Sequence, residues 1–545
     1  MTIADKLTDD LKLIIKNKYG EQASNNVMIE IPKDNNNGDY STNIAMRLTK
    51  QLKTSPQSIA QELVEIFTQE LEQVERIVIA GPGFINFWLK KGVIGDIIST
   101  VIKEGSNYGC NDSGQQQSVL VEYVSANPTG ILHLGHARGA AWGDSLTRIL
   151  KKCGYNCLRE YYINDAGNQI DNLGLSAYAR YAEYFNESVS IGADGYLGDD
   201  VKEIGRQIAL KDGDVWLSKT EGRLEYFTEI AMALELKQIK EDLKYFRVDF
   251  DSWISENSLY ANNLVKLAID QMKAKDLTYH KDGALWLKTT NFGDDKDRVL
   301  IKADGSYTYF TPDIANHVDK FNRGYTKLIN LWGADHHGYI ARMSAALQAL
   351  GFAADSLEVD IIQMVRLVEE GKEIKMSKRT GNAITIRELC DDIGVDAVRY
   401  YYVSRAVDTH MDFDLALARK QSNENPVFYV QYAHARICSI LKQTSEFKEV
   451  ESFDLLTHEK EIDLLKHITS FKDVVVDAAK TRQPNKITNY SHKLASYFHS
   501  YYNSCKVNDA ENLDLTNQRI GLILASKITL ANALDLIGVS APEQM

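Results

Sequence analysis

Apolar positions in this chain change their period several times, and the changes mark its elements. The first 20 residues mix acids, lysines and apolar residues in a helical rhythm. Val27 to Pro32 is a strand-like run, Asp34 to Asp39 is rich in turn residues, and helical segments follow through Phe67. Ile77 to Leu89 predicts two strands around the Gly81-Pro82-Gly83 turn. Residues 1–104 therefore read as a small α+β unit. The polar, glycine-bearing stretch 105–118 is the best linker candidate. Beyond it, Val119 to Val124 is short, apolar and β-branched, which predicts a buried strand. Thr129-Gly130 and Leu134-Gly135 interrupt the chain, and Gly139 to Leu150 predicts a helix. Strand, glycine-bearing turn and helix are the opening of a nucleotide-binding βαβ unit. The Gly/Asp-rich stretch 194–214 predicts loop between helices, and Gly283 to Tyr309 predicts hairpins, with Asp304-Gly305 as a turn. Leu328 to Trp332 predicts another core strand, ending at Gly333. These elements place a parallel-sheet unit at 119–419 and a helical region at 420–545.

Composition narrows the class without naming a function. A chain of 545 residues suits two to four domains, and 44% hydrophobic with 25% charged residues suits a folded protein with an ample core. No uncharged apolar run reaches the roughly 18 residues a membrane span needs, and the N-terminus lacks a signal peptide's apolar centre, so a cytoplasmic protein without a membrane partner is expected. The six cysteines are scattered, and Cys153 and Cys157 have no second Cys/His pair of zinc spacing, so free thiols and no zinc are expected. The net charge of −13 argues weakly against nucleic acid, but phosphate binding depends on local patches rather than the sum.

Two segments carry chemistry. The first is Asn127-Pro128-Thr129-Gly130-Ile131-Leu132-His133-Leu134-Gly135-His136. A loop after a parallel strand lies at the sheet's carboxyl edge, where ligands bind. Gly135 lets a flat base approach the backbone, and His133 and His136 can donate to phosphate oxygens beside a helix N-terminus. Alone, the segment also suits a metal-binding or structural pair of histidines. The second is the glycine-bounded basic loop around Lys375-Met376-Ser377-Lys378-Arg379. Its ammonium groups can reach a triphosphate and stabilise charge developing on departing pyrophosphate. Alone, it also suits an ordinary solvated charge run.

Together the segments match the HIGH and KMSK signatures of class I aminoacyl-tRNA synthetases. The chain further resembles the arginyl-tRNA synthetase family along essentially its whole length. The resemblance rests on Val121 to Gly130, Trp332-Gly333-Ala334-Asp335-His336-His337-Gly338-Tyr339, Ser422 to Arg436 and the terminus Val539 to Met545. It implies an α/β fold: a Rossmann-type parallel-sheet catalytic domain, an N-terminal α+β domain that grips the tRNA elbow, and a C-terminal all-α anticodon-binding domain. It also implies a ligase that joins L-arginine to arginine tRNA through an arginyl-adenylate, using ATP with Mg2+ on its phosphates and acting as a monomer.

The resemblance assigns residues as well. Pro128, Thr129, Gly130, His133, Gly135, His136, Asp335, His336, Met376, Ser377 and Lys378 hold ATP, with His133, His136, Lys375 and Lys378 as the catalytic groups. Glu122, Ser125 and Asn127 face the amino acid, and Tyr309 and Asp313 form the opposite wall. A carboxylate accepts a planar guanidinium bidentately. Asp313 or Glu122 takes that role, and the other takes the α-ammonium. Asp313 also suits a helix N-cap. Some relatives carry a glutamine near Ala334 that helps hold arginine, and that contact is not carried over. Tyr429, Tyr432 and Arg436, at i, i+3 and i+7, share a helix face that suits stacked bases and phosphate, or equally a core stripe. Met545, Phe84 and Asn86 are further tRNA contacts by resemblance. A lysine-charging enzyme, a non-enzymatic RNA-binding paralogue and a free-standing nucleotidyltransferase are the rival readings. The intact signatures and the large helical region speak against the last two.

Overall fold

The computed structural model describes residues 3–30, 32, 37–90, 95–369, 371–374, 384–444 and 446–545. At the N-terminus, strands β1 (Ile29–Glu30), β2 (Tyr40–Thr42), β3 (Val74–Ala80) and β4 (Phe84–Leu89) form an antiparallel sheet in the order β1-β2-β4-β3. The Gly81-Pro82-Gly83 turn joins β3 to β4 as the pattern predicts, with Ile79 opposite Ile85. Helix Pro56–Glu70 covers this sheet. Ser55 caps it, proline sits in its first turn, and Ile59, Leu63 and Phe67 form one buried stripe. Of the strand expected over Val27 to Pro32, only Ile29–Glu30 is strand among the described residues. Residue 31 and residues 33–36 of the turn lie outside them.

The centre of the molecule is a five-stranded, fully parallel sheet. Strands β5 (Ser118–Glu122), β6 (Asn156–Ile163) and β7 (Ser252–Ser255) come first. An antiparallel insertion follows, made of β8 (Thr278–Lys281), β9 (Ala284–Leu287) and β10 (Arg298–Ile301). Strands β11 (Lys327–Gly333) and β12 (Leu357–Ile362) then complete the central order β12-β11-β5-β6-β7. The chain leaves β5 toward β6 and later returns to its other side as β11. The carboxyl ends of β5 and β11 therefore flank a topological switch point, where α/β sheets bind ligands. The Asp304-Gly305 turn is present, with Ile301 paired to Tyr307.

Three expectations need correction. The Gly/Asp-rich stretch 194–214, expected as loop, contains helix Asp199–Asp212, whose Val201, Ile204 and Ile208 form a buried stripe. The helix after β5 runs over Leu134–Lys152, not from Gly139, because His133 caps it. Its glycines are contact points rather than breaks: a Cβ on Gly143 would lie 2.3 Å from the Tyr123 ring. The polar stretch 105–118 is also no free tether. Tyr108 is buried, donates to the Ile468 carbonyl at 2.7 Å and stacks on Phe471, while the Gly114 amide donates to the Cys153 carbonyl. It straps the central sheet to the helical C-terminal region.

That region contains helices Pro426–Leu441, Glu459–Thr469, Phe471–Thr481, Asn485–Ser504 and Leu513–Leu536. Between it and the sheet lie β13 (Val365–Glu369), β14 (Lys372–Glu373) and β15 (Met411–Asp414), with helices Ile386–Ile393 and Val395–Val403. One apolar core runs from Leu7 through the helix after β5 to Val539.

Candidate active site

Immediately after β5 the backbone turns sharply. Val124 has φ 67° and Ser125 φ 39°, and the Ser125 amide donates to the Tyr123 carbonyl at 2.9 Å. This is a γ-turn centred on a β-branched residue, a conformation that stores strain. The turn aims Ser125 Oγ inward, where it accepts from the Tyr162 amide at 3.1 Å and donates to Glu122 Oε1 at 3.3 Å. Asn127 follows and donates to Gln169 at 2.7 Å, while Pro128 is buried. Gly130 lies under Asp200 of the helix Asp199–Asp212.

His133 and His136 cap one helix end reciprocally. His133 Nδ1 accepts from the Gly135 amide at 3.1 Å, and His136 Nδ1 accepts from the His133 amide at 3.3 Å. Their rings stack with centroids 3.9 Å apart. An Nδ1 that accepts from a backbone amide leaves the neutral ring's proton on Nε2. Burial lowers the pKa of His133, and burial together with His133 holds His136 down to about 3. Both rings are thus neutral Nε2–H donors at the N-terminus of a 19-residue helix, a place that favours anions.

The segment downstream of the second signature pairs with the first. The Leu134 amide donates to Ile384 and the Ile386 amide to Leu132, so residues 384–386 zip against 132–134. Thr385 and Glu388 then form a capping box on helix Ile386–Ile393. Arg138, fully buried, donates to the carbonyls of Gln363, Ala406 and Thr409 at 2.8–2.9 Å and ties helix Leu134–Lys152 to the approaches of β13 and β15. Lys375, Met376, Ser377 and Lys378 themselves lie outside the described residues.

Across the switch point, helix Phe310–Asn322 supplies Asp313, whose Oδ2 accepts from Tyr339 at 2.7 Å. Burial, then the charges of Glu122 and Glu256, push the Asp313 carboxyl up to about 7, against the pull of the Tyr339 hydrogen bond. Glu256, at the carboxyl end of β7, is itself buried and raised by that burial. Sequence reasoning missed Glu256, Tyr162 and Tyr339. Glu256 reads as an ordinary first-turn acid after the Ser255 cap, and only its place at another strand end pointed inward. Glu122 differs from the other two acids: Lys320, fully buried, is bonded to its Oε2. Tyr309 is 80% exposed at the helix start. Asp335 and His336 are exposed beyond β11 and pair with each other at 3.3 Å.

This geometry sits on a chain with clear relatives. The family model for class I tRNA synthetases (R), catalytic domain, matches residues 97–403. The arginyl tRNA synthetase N-terminal domain matches residues 1–89, and the DALR anticodon binding domain matches residues 430–545. The Arginine--tRNA ligase of Bacillus licheniformis is 52% identical over 100% of both chains, and that of Bacillus subtilis is 51% identical over 100% of both. The chain belongs to the arginyl-tRNA synthetase family. The solved structure of Thermus thermophilus arginyl-tRNA synthetase shares the fold over the whole chain, with a TM-score of 0.77 at 21% identity.

The synthetase's remaining predicted residues lie away from this crevice. Tyr429, Tyr432 and Arg436 do share a face of helix Pro426–Leu441, but they are half-buried against helix Asn485–Ser504. Tyr429 packs on His492 and His499, Arg436 donates to the Tyr432 hydroxyl at 3.1 Å, and its guanidinium lies 4.6 Å from the Tyr502 ring centre. The stripe is therefore partly packing, and His499 and Tyr502 extend its edge. Met545 is exposed and lines a cavity of about 620 Å³ with Phe428, Asn425 and Lys420. In the N-terminal sheet Phe84 is half-buried, whereas Asn86 is only 4% exposed, so its side chain offers little direct reach to a partner.

Proposed function

We propose that this chain activates L-arginine with ATP to arginyl-adenylate and pyrophosphate, then passes the arginyl group to the 2′-hydroxyl of the terminal adenosine of arginine tRNA. The observation that carries the site assignment is a pair of inward carboxylates at the strand ends, Asp313, held by Tyr339, and buried Glu256, neither of which forms an ion pair among the described residues, with the Glu256 charge raising Asp313. Glu122 already has Lys320. The guanidinium therefore goes to Asp313 and Glu256, whose ionised forms it stabilises. Glu122, Ser125 and Asn127, beside the first signature, are left for the α-ammonium, with Tyr309 at the rim. Charge thus favours Asp313 over Glu122 as the guanidinium acceptor.

The arginine carboxylate then points to the end of β5, where the neutral His133 and His136 donate Nε2–H to the triphosphate. Pro128, Thr129, Gly130 and Gly135 shape the nucleotide's bed, and Asp335 and His336, beyond β11, lie by the adenosine. Attack on the α-phosphorus expels pyrophosphate; Met376 and Ser377 help hold the ATP, and Lys375 and Lys378 meet the departing charge. Mg2+ is assigned to the ATP phosphates, whose charge it offsets. Tyr432, Arg436 and Met545, with Tyr429 behind them, face the anticodon end of the tRNA, and Phe84 with the sheet around Asn86 faces its elbow. The enzyme works as a cytoplasmic monomer. Among the described residues no helix is long and apolar enough to cross a membrane.

Pyrophosphate exchange tests this reading. Exchange is expected with arginine plus arginine tRNA, and neither with lysine nor without tRNA. Absence of exchange from folded protein under every condition would replace the reading with an RNA-binding paralogue.

The acid pocket also predicts a pH dependence. With Asp313 at about 7 in the free pocket, arginine must displace a proton below that pH. Affinity should be level above it and fall by about tenfold per unit below it. Calorimetric titration of arginine from pH 5.5 to 8.5 checks this. A flat profile would remove Asp313 as the acceptor.

A further inference from the structure

Helix Phe310–Asn322 presents Asp313, His317 and Lys320 on one face, at i, i+4 and i+7. His317 is spent on support: its Nδ1 pairs with the Asp313 carbonyl at 2.7 Å and its Nε2 with Asn330 Nδ2 at 2.8 Å. Lys320 is different. Its side chain is 0% exposed, its ammonium is bonded to Glu122 Oε2, and it lies 3.6 Å from Glu160 Oε1. Glu160, also 0% exposed, takes Arg323 on its other oxygen at 2.7 Å. Arg323, nearer the surface, is paired in turn with Asp319 at 2.9 Å. Glu160 thus has a second cation, whereas Lys320 is the one cation bonded to Glu122 among the described residues.

We infer that Lys320 is a positioning residue for the amino-acid site, fixing both the orientation of Glu122 and the charge the pocket offers. The inference rests on the proposed arginine site. The amino-acid pocket is bordered by three carboxylates, Glu122, Glu256 and Asp313, and arginine brings two cationic groups. With Lys320 bonded to Oε2, Glu122 keeps Oε1 beside Ser125, turned toward the loop that carries Asn127. The guanidinium then finds Asp313 and Glu256 as its uncompensated pair. Without Lys320, Glu122 becomes a third uncompensated acid, free to swing toward Asp313 and compete for the same guanidinium. A buried charge stripped of its partner also carries a large desolvation cost, so the damage falls on arginine binding more than on the ATP side.

The test compares the K320M, E122Q and E122Q/K320M enzymes with wild type by pyrophosphate exchange in the presence of tRNA. K320M is expected to raise the KM for arginine at least tenfold, with the KM for ATP within twofold of wild type. On the E122Q background, adding K320M is expected to change the arginine KM by less than twofold, because Lys320 acts through Glu122. A K320M enzyme with an unchanged arginine KM, or an effect that multiplies in full on the E122Q background, would overturn the inference. If E122Q itself leaves the arginine KM unchanged, the placement of arginine beside Glu122 fails, and the inference with it. Should K320M not fold, K320Q, a neutral side chain one bond shorter, carries the same comparison.

Discussion

Asp313→Asn is expected to lower kcat/KM for arginine by about a thousandfold and to leave the KM for ATP unchanged. The amide keeps the shape of the carboxylate and still accepts from Tyr339. It offers the guanidinium one acceptor instead of two, turns an N–H group toward N–H donors, and removes the charge. Breaking a buried pair by removing one partner costs about 3–5 kcal/mol, and each 1.4 kcal/mol is tenfold, which sets the expected size. The loss should also remove the pH dependence of arginine binding near 7, because the titrating group is gone. Exchange kinetics at varied arginine, with folding checked by circular dichroism, measure it. Activity within threefold of wild type would move the guanidinium elsewhere, and Glu256→Gln would be the next variant to make.

Lys378→Ala is expected to lower kcat by about thirty- to a thousandfold, the roughly 2–4 kcal/mol that one preorganised donor contributes to a transition state. The arginine KM should hardly move, since this lysine meets charge that appears only as pyrophosphate leaves. The described residues on either side are both tied down: Glu369 pairs with Lys372 in the β13–β14 hairpin, and the Ile384 carbonyl accepts from the Leu134 amide of the first signature. Single-turnover formation of the adenylate separates this step from tRNA charging. A variant as fast as wild type would remove Lys378 from the chemistry.

Where an element depends on its own residues, the sequence was a good guide. The apolar run at β5, the Gly-Pro-Gly hairpin and the strand ending at Gly333 are each set by a short pattern bounded by turn residues. The helix after β5 starts five residues earlier than its pattern suggests, because its cap is an imidazole and the usual capping residues are Ser, Thr, Asp and Asn. The acid pocket was only half legible. Glu122 and Asp313 lie in recognisable segments, but Lys320 meets Glu122 across 198 residues of chain. Glu256 enters from a strand end that no motif marks. The Tyr429 stripe shows the opposite limit: periodicity found the face correctly and could not say that another helix covers much of it.

The strap formed by Tyr108 and its neighbours bears on how this protein can be divided. Linker composition usually invites a protease and tolerates insertion, since nothing holds such a segment down. Here cleavage would have to peel a buried ring from Phe471 and an amide from the Cys153 carbonyl. A fragment starting at the central sheet would carry bare apolar surface where the strap had been, and so would the helical fragment. The catalytic unit is thus not a portable cassette. Modular exchange among relatives would have to carry strap and receiving helices together.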